Sequence, residues 1–364
     1  MATVEYRTQK CSTAEDMLSL LKRVEGSQDV IEASICSLQL KELANAPIVA
    51  SSIRTQMGFA AEEEDILACM PTNVMLSVPV NGKQVNMPIY YTAMRTLRER
   101  AKLYGKTAEL HPLILNEGFP YYTEDAKLLI QDKVLLAAHS MLYQVLPQGQ
   151  LFEMLLTGLD YHMGGYSFIG GEYAREMTIA AFEFPQKASA LASLGVKDAV
   201  PGLYFTTNDI GQSGANLQAT MIREQNVSGE KKRVTCYMGS SLSTTHDKKH
   251  DVSDFGQQLD KVFALIKDGA QQLERLKKIK LQYPAQCFMN VAKELHLPKK
   301  EAQMAQEDFT IQAYMPTAYD LYWMLWNIVT YLGSCSVEKR VSVQENISRA
   351  AGLRYEKYDV DYAI

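Results

Sequence analysis

A stripe of apolar residues at helical spacing is the strongest structural signal in the sequence, and it runs from about residue 253 to residue 281. Such a stripe predicts a long amphipathic helix whose apolar face packs on the rest of the protein. Tyr283-Pro284 follows, and we expect the helix to end there because the residue before a proline disfavours the helical conformation. The apolar positions are Leu259, Val262, Phe263, Ile266, Ala270, Leu273, Leu276 and Ile279.

Short β-type segments joined by turn residues precede this helix. Val74 to Tyr91 contains Asn81-Gly82 between two β-rich stretches, which is a strong signal for a hairpin. A turn with Ser228-Gly229 separates predicted strands at 219–224 and 233–237. We therefore expect an α+β protein with antiparallel β-sheet elements, long amphipathic helices packed on one side and a helical C-terminal part.

Apolar spacing also predicts helices in residues 124–160, with a break at Pro147 and Gly149, and in residues 317–332. From this order of elements we expect three segments. They are an N-terminal helical segment at 1–125 that carries the hairpin at 74–91, an α+β core at 126–335 and a C-terminal tail at 336–364.

The composition, 47% apolar and 22% charged, is typical of folded globular proteins and excludes wholesale disorder. The strongest apolar stretch, Leu321 to Leu332, is shorter than the roughly 20 residues of a membrane-spanning helix, and the N-terminus has no signal-peptide pattern. The six cysteines contain no CxxC pair, which indicates reduced thiols. We expect a cytoplasmic protein with no membrane partner, no cofactor and no metal.

Charge is distributed unevenly along the chain, whose formal net charge is -5. Residues 231–300 contain 14 Lys and Arg against 7 Asp and Glu, so this window carries +7 and the rest carries -12. A basic window of this kind predicts a nucleic-acid surface, although cations at a helix C-terminus also complement the helix dipole. The predicted binding residues are Lys231, Lys232, Arg233, His246, Lys248, Lys249, His250, Arg275, Lys277, Lys278 and Lys280.

His246 and His250 are four residues apart, which on a helix would place both imidazoles on one face, as in zinc sites. No third ligand is identifiable, and Lys248 and Lys249 between them oppose a divalent cation. A polar loop or a helix start, with histidines that contact phosphate oxygens, is the favoured interpretation.

A predicted helix at 92–104 carries Arg95, Arg98 and Lys102 at positions i, i+3 and i+7. Because this spacing gathers the cations on one face, the helix is either a phosphate-binding helix or an ordinary amphipathic surface helix. The surface helix is the more common case.

Residues 206–215 form a polar loop rich in small residues, and Asp209 is its most suggestive acidic residue. Polar loops between strands often bind ligands, yet Asx turns are the more common reason for such residues. The sequence contains no GxSxG, SxxK or phosphate-loop motif, so no such motif indicates an enzyme. The loop residues of interest are Asn208, Asp209, Gly211, Gln212 and Ser213.

Several short motifs lie between about residues 140 and 335, and their order along the chain is distinctive. The first is Tyr143 to Pro147 followed by Leu151-Phe152-Glu153, and the second is Gly170-Gly171 before a strand that ends in Phe184-Pro185. The others are Thr207 to Ser213, Arg233 to Cys236, a histidine at 246 or 250 before the long helix, Thr317 to Tyr322 and Asn327 to Thr330.

In this order the sequence resembles the phage- and plasmid-encoded proteins grouped as domain-of-unknown-function family 932. The resemblance implies that the protein comes from a mobile element and acts in the host cell cytoplasm. It implies no defined catalytic activity.

Three hypotheses for function follow. The leading one is a non-enzymatic protein of phage or plasmid nucleic-acid metabolism that binds single-stranded nucleic acid through the basic residues of 231–300. The alternative is a structural, assembly or host-interaction protein that acts by oligomerisation, which suits the 17 methionines and the acidic remainder of the chain. The third is an enzyme built around Asp209 and His246 or His250.

Overall fold

The computed structural model describes residues 8–42, 74–102, 112–193, 196, 199–211, 214–238, 241–247, 250–259, 261–312 and 316–361. These residues form an α+β protein with antiparallel sheets, as predicted. The strands are β1 Gln9–Cys11, β2 Gln28–Ser34, β3 Gln39–Glu42, β4 Val74–Val80, β5 Lys83–Pro88, β6 Asp125–Gln131, β7 Val134–Ser140, β8 Ser167–Ala174, β9 Met177–Glu183, β10 Val200–Thr207, β11 Ala215–Val227, β12 Glu230–Tyr237 and β13 Leu242–Thr244.

Helices precede, interrupt and follow these strands, and most of them lie in the C-terminal third of the chain. The α-helices are α1 Ala14–Gly26, α2 Ala93–Arg100, α3 Leu115–Gly118, α4 Gln148–Met163, α5 Ala188–Ser193, α6 Val252–Leu259, α7 Val262–Leu276, α8 Pro284–Glu294, α9 Lys299–Gln312, α10 Ala318–Leu325, α11 Asn327–Tyr331 and α12 Val337–Ser348.

The largest sheet has the strand order β1-β8-β9-β10-β11-β12, and β13 pairs with one end of β11. Strands β11 and β12 form the predicted hairpin, in which Val227 pairs with Glu230. Ser228 and Gly229, at φ of 55° and 80°, form the turn. Two consecutive residues with positive φ match the right-handed twist of the strands, which is why a Ser-Gly pair serves here.

Helices cover both faces of this sheet, whereas the sequence predicted helices on one side only. Phe205 of β10 contacts Phe152 of α4, with ring centroids 6.2 Å apart, and Phe255 of α6, at 5.8 Å. The preceding residue, Tyr204, points to the opposite face because side chains alternate along a strand, and there it contacts Tyr237, at 5.4 Å. The Tyr237 hydroxyl donates a hydrogen bond to a glutamine of α12, so α12 lies on the second face.

A second, smaller core lies beside the main one. It is formed by the sheets β2-β6-β7 and β3-β4-β5 together with α2, and its buried apolar residues run from Ala33 to Ala138. The predicted hairpin at 74–91 is present as β4 and β5. Its turn residues Asn81 and Gly82 have φ of 51° and 75°.

Two helix predictions were wrong in detail. Residues 125–140 form the hairpin β6-β7 rather than a helix, because β7 is buried on both faces and its continuous apolar run carries no strand period. The long amphipathic stripe is divided between α6 and α7. Pro284 occupies the start of α8, where its missing N–H costs nothing.

The helix predicted at 317–332 begins as expected. Thr317 caps α10 by accepting a hydrogen bond from the backbone N–H of Asp320, and the Asp320 carboxylate accepts one in return from the backbone N–H of Thr317. Within the described ranges, no helix combines the length and the apolar character needed to cross a bilayer.

Candidate functional site

The predicted basic residues and the predicted polar loop lie at opposite ends of the main sheet. Lys231, Lys232 and Arg233 lie at the start of β12, beside the hairpin end of β11. The 208–211 loop lies near the other end of β11, whose 13 residues span about 40 Å at roughly 3.3 Å per residue. These two predicted regions therefore do not share one surface.

The hairpin cations contact carboxylates of the protein. Arg233 forms an ion pair with the largely buried Glu183 of β9. Lys232 Nζ lies 3.8 Å from the Glu230 carboxylate, and Lys231 is exposed. Part of this positive charge is therefore balanced within the fold.

The cations at the end of α7 also contact the protein. Lys277 Nζ lies 3.0 Å from the Glu274 carboxylate, and an Arg275 Nη2 atom donates to the Ala351 carbonyl oxygen at 2.9 Å. Lys278 and Lys280 are exposed. Contacts within the protein therefore account for Lys277 and Arg275, two of these four cations.

His246 and His250 are not on a common helix, in agreement with the loop interpretation. They lie between β13 and α6, where His250 Nδ1 is 2.8 Å from an Asp247 carboxylate oxygen and His246 is buried. The predicted residues Lys248 and Lys249, and Gln212 and Ser213 of the loop, lie outside the described residues.

Asp209 and His246 lie close enough in the structure for each to shift the pKa of the other. Asp209 follows β10 and is 2% exposed. Its Oδ2 atom accepts hydrogen bonds from Gln28 Nε2 at 3.2 Å and from Gln148 Nε2 at 2.6 Å. The Thr178 hydroxyl donates to Gln148 Oε1 at 2.6 Å, which turns the amide nitrogen of Gln148 towards the carboxyl. The orientation of Asp209 is thus fixed by neighbours that are themselves held in place.

Three aromatic rings stack beside this carboxyl. The His139 and Tyr143 rings are 3.6 Å apart between centroids and 6° from parallel, and the Tyr143 and His246 rings are 5.1 Å apart and 1° from parallel. Gly211 lies against the stack at φ of 76°, and a Cβ atom there would be 3.0 Å from His139 Cε1. Both the backbone conformation and the close approach therefore require glycine.

Backbone carbonyls select the proton positions on both imidazoles. His246 Nδ1 lies 3.0 Å from the Gln144 carbonyl oxygen, and His139 Nε2 lies 2.8 Å from the Asp209 carbonyl oxygen. A carbonyl can only accept, so these nitrogens carry hydrogen. In the neutral rings, His246 Nε2 and His139 Nδ1 are then the proton acceptors.

Burial favours the uncharged forms of Asp209, His246 and His139. It raises the pKa of Asp209 above its usual 3.8, against the effect of His246 and of the two glutamine amides. It lowers the pKa of His246 below 6.5, against the effect of the Asp209 carboxylate and the nearby carbonyls. It lowers the pKa of His139 to about 4. The site thus favours a carboxylic acid beside a neutral imidazole.

Among the described residues, the buried Asp209 Oδ1 atom makes no hydrogen bond. His246 Nε2 and the Tyr143 hydroxyl oxygen also lack a hydrogen bond of good geometry, although the Asn208 backbone lies near the His246 ring and the Gly211 backbone near the Tyr143 hydroxyl. An unsatisfied buried polar atom typically costs about 1–3 kcal/mol of stability. Such atoms are more typical of functional sites than of structural cores. We call Asp209, His246, Tyr143 and His139 the Asp209 centre.

The arginine-rich helix predicted at 92–104 is present as α2, Ala93–Arg100, and it borders the Asp209 centre. An Arg95 Nη2 atom donates to the Ile210 carbonyl oxygen at 3.1 Å. Lys102 points elsewhere, with Nζ 3.7 Å from Glu124 and 4.4 Å from the Tyr122 ring centroid. The predicted face is therefore divided, and its first arginine reaches the centre.

The sequence pointed to Asp209 and His246 as site residues but not to His139, Tyr143, Gln28 and Gln148, although Tyr143 begins one of the motifs that carry the resemblance. His139 and Tyr143 belong to a segment predicted as helix, and no local motif marks the glutamines. Across the part of the chain that the structure describes, no group of His, Cys, Asp and Glu side chains is arranged to hold a metal ion.

Comparison with known proteins identifies no relative. No protein-family model matches the sequence, no curated protein is significantly similar to it, and no solved structure significantly matches the fold.

Proposed function

We propose that the protein is an enzyme and that the Asp209 centre performs general acid-base catalysis. The observation that carries this proposal is a buried carboxyl group, fixed by two glutamine amides, beside a buried imidazole whose tautomer a backbone carbonyl selects. This arrangement is costly for folding, because an apolar pair of the same size would avoid the cost of burying polar atoms.

The proposed roles follow from the uncharged forms that burial favours. His246 Nε2 accepts a proton, since Nδ1 already donates to Gln144. Asp209 donates a proton from Oδ1 in its carboxylic acid form, which burial favours. Environments that push the pKa of an acid up and that of a base down keep both groups in their reactive forms near neutral pH.

His139 and Tyr143 are positioning residues in this proposal. His139 holds the backbone of Asp209 through its Nε2 atom, and the Tyr143 ring lies between the two imidazoles. Together they keep the 208–211 loop in register with His246.

Hydrolysis assays with p-nitrophenyl phosphate, bis(p-nitrophenyl) phosphate and p-nitrophenyl acetate test this proposal. Asp209→Asn and His246→Gln should each lower the rate of hydrolysis of whichever substrate the wild type hydrolyses. We expect a decrease of about 10²–10⁴, the usual contribution of a general acid or base. His250→Gln is the matched control, because it removes an imidazole outside the centre. Equal rates in all four proteins would contradict the proposal.

Binding of single-stranded nucleic acid through the basic residues of 231–300 is a second candidate function. It is supported by the exposure of Lys231, Lys278 and Lys280. Replacing Lys231, Lys232 and Arg233 with Ala should lower the slope of log affinity against log salt by up to about three units, measured by mobility shift across a salt series. An unchanged slope would favour the assembly alternative, which light scattering coupled to size exclusion tests through the oligomeric state.

A further inference from the structure

Cationic side chains from two elements converge on the Asp209 centre. Lys127 of β6 is the direct cross-strand partner of His139 of β7, so their side chains lie on one face of the hairpin. Lys127 Nζ donates to the Tyr143 carbonyl oxygen at 2.9 Å. On the other side, Arg95 of α2 holds the Ile210 carbonyl oxygen.

A third cation lies one and a half turns further along α2. The positive charge of Arg100 contributes to the lowered pKa of His139, and its buried Nε atom makes no hydrogen bond within the described part of the chain. Arg95 and Arg100 therefore both place positive charge near the His139 ring, and Lys127 adds a positive charge at the Tyr143 carbonyl oxygen.

Few carboxylates balance this charge. Glu99 lies 3.6 Å from an Arg95 Nη1 atom. Among the described residues, neither Lys127 nor Arg100 has an ion pair with a carboxylate, and burial favours the uncharged form of Asp209. Glu25 adds one negative charge near Asp209. The cations around the centre still outnumber these two glutamates, and they lie near the unsatisfied Asp209 Oδ1 atom.

We propose that the Asp209 centre binds a phosphate group of its substrate, with Lys127 and Arg95 as the principal contacts. This inference rests on the proposed function and names its substrate class. Lys127 and Arg95 both donate to backbone carbonyls, neutral acceptors that an anionic oxygen outcompetes because charge-assisted hydrogen bonds are roughly twice as strong. Phosphate suits the arrangement better than carboxylate does, because its tetrahedral oxygens accept from donors that approach from different elements.

Isothermal titration of the full chain with inorganic phosphate, with acetate at equal ionic strength and with a single-stranded oligothymidylate tests this inference. Phosphate should bind and acetate should not. Lys127→Met should weaken phosphate binding at least tenfold, and Arg95→Gln several-fold. The matched control is Lys133→Met, which removes the same charge at the exposed turn of the same hairpin.

The oligothymidylate separates the two sources of phosphate. Binding tighter than that of inorganic phosphate, and lost in Lys127→Met but not in Lys133→Met, would identify a nucleic-acid backbone. Binding no tighter than that of inorganic phosphate would identify a small phosphate ester. Absence of phosphate binding, equal binding of acetate, or equal affinity in Lys127→Met and Lys133→Met would overturn the inference.

Failure of the phosphate-binding inference is distinguishable from failure of the acid-base proposal. Asp209→Asn removes no cation, so it should retain phosphate binding while losing turnover. A protein that binds phosphate but shows equal turnover in Asp209→Asn would retain this site and lose the acid-base role. A protein that loses turnover in Asp209→Asn without binding phosphate would retain the acid-base role alone.

Discussion

At the scale of single residues, His139 links the centre to stability in acid. Burial lowers its pKa from 6.5 to about 4, so the folded protein binds fewer protons than the unfolded chain between these values. Its contribution to stability is therefore present above pH 6.5 and lost as the pH falls towards 4, and it amounts to about 3 kcal/mol.

His139→Gln should remove much of this loss, because glutamine keeps a donor for the Asp209 carbonyl and does not titrate. Urea unfolding of both proteins, each compared with its own free energy of unfolding at pH 7, measures the difference. If acidification to pH 4 lowers the free energy of unfolding equally in both proteins, His139 ionises freely in the folded state.

The residues of the centre differ in how far sequence could reveal them. Asp209 stood out because a small polar loop follows a strand, and His246 because two histidines are four residues apart. Gln28 and Gln148 come from segments with no polar pattern of their own, and 181 and 61 residues separate them from Asp209. Only tertiary packing brings them to the carboxyl.

At the scale of elements, turn residues predicted secondary structure better than the spacing of apolar residues did. Asn81-Gly82 and Ser228-Gly229 predicted their hairpins because both turn positions need positive φ. The β6-β7 hairpin was missed because its turn is Asp132-Lys133, a pair with no glycine, although both residues have positive φ. Its second strand, β7, is buried on both faces and also lacks alternation.

The packing of α7 on the sheet depends on one glycine. A Cβ atom on Gly269 would be 2.4 Å from Met238 Cβ and 3.0 Å from the Met238 backbone. Gly269→Ala should lower the free energy of unfolding, because about 1–3 kcal/mol of overpacking exceeds the gain in helix propensity of about 1 kcal/mol.

Gly26→Ala in α1 is the control, since a Cβ atom there meets nothing within 4 Å. It should leave stability equal or slightly higher. Denaturant midpoints of both variants, compared with that of the wild type, measure these changes in stability. A Gly269→Ala protein as stable as the wild type would contradict the close contact between α7 and Met238.

At the scale of the whole molecule, the Asp209 centre lies where the two cores meet. Gln28 and His139 come from the sheet of the smaller core, whereas Gln148 and Thr178 come from α4 and from the main sheet. Sequence predicted the α+β class and several hairpins but not this junction, because it depends on how the sheets dock rather than on any local pattern.

The stability of Asp209→Asn tests whether Asp209 is uncharged where the two cores meet. A raised pKa means that the stabilising effect of the protonated carboxyl is present below pH 3.8 and is lost as the pH rises through the higher folded-state value. Asparagine resembles the protonated acid, so the variant should be at least as stable as the wild type at pH 8. Thermal unfolding measures this, and a variant several degrees less stable would indicate a structural carboxylate.

The most direct measurement is a carbon-13 NMR titration of the aspartate carboxyl groups, with the Asp209 resonance assigned by its absence in Asp209→Asn and His246 followed in the same samples. We predict that Asp209 titrates above pH 3.8 and His246 below pH 6.5. An Asp209 carboxylate that ionises at or below pH 3.8 beside a His246 imidazolium that persists above pH 6.5 would be an ordinary ion pair, and it would contradict the acid-base centre.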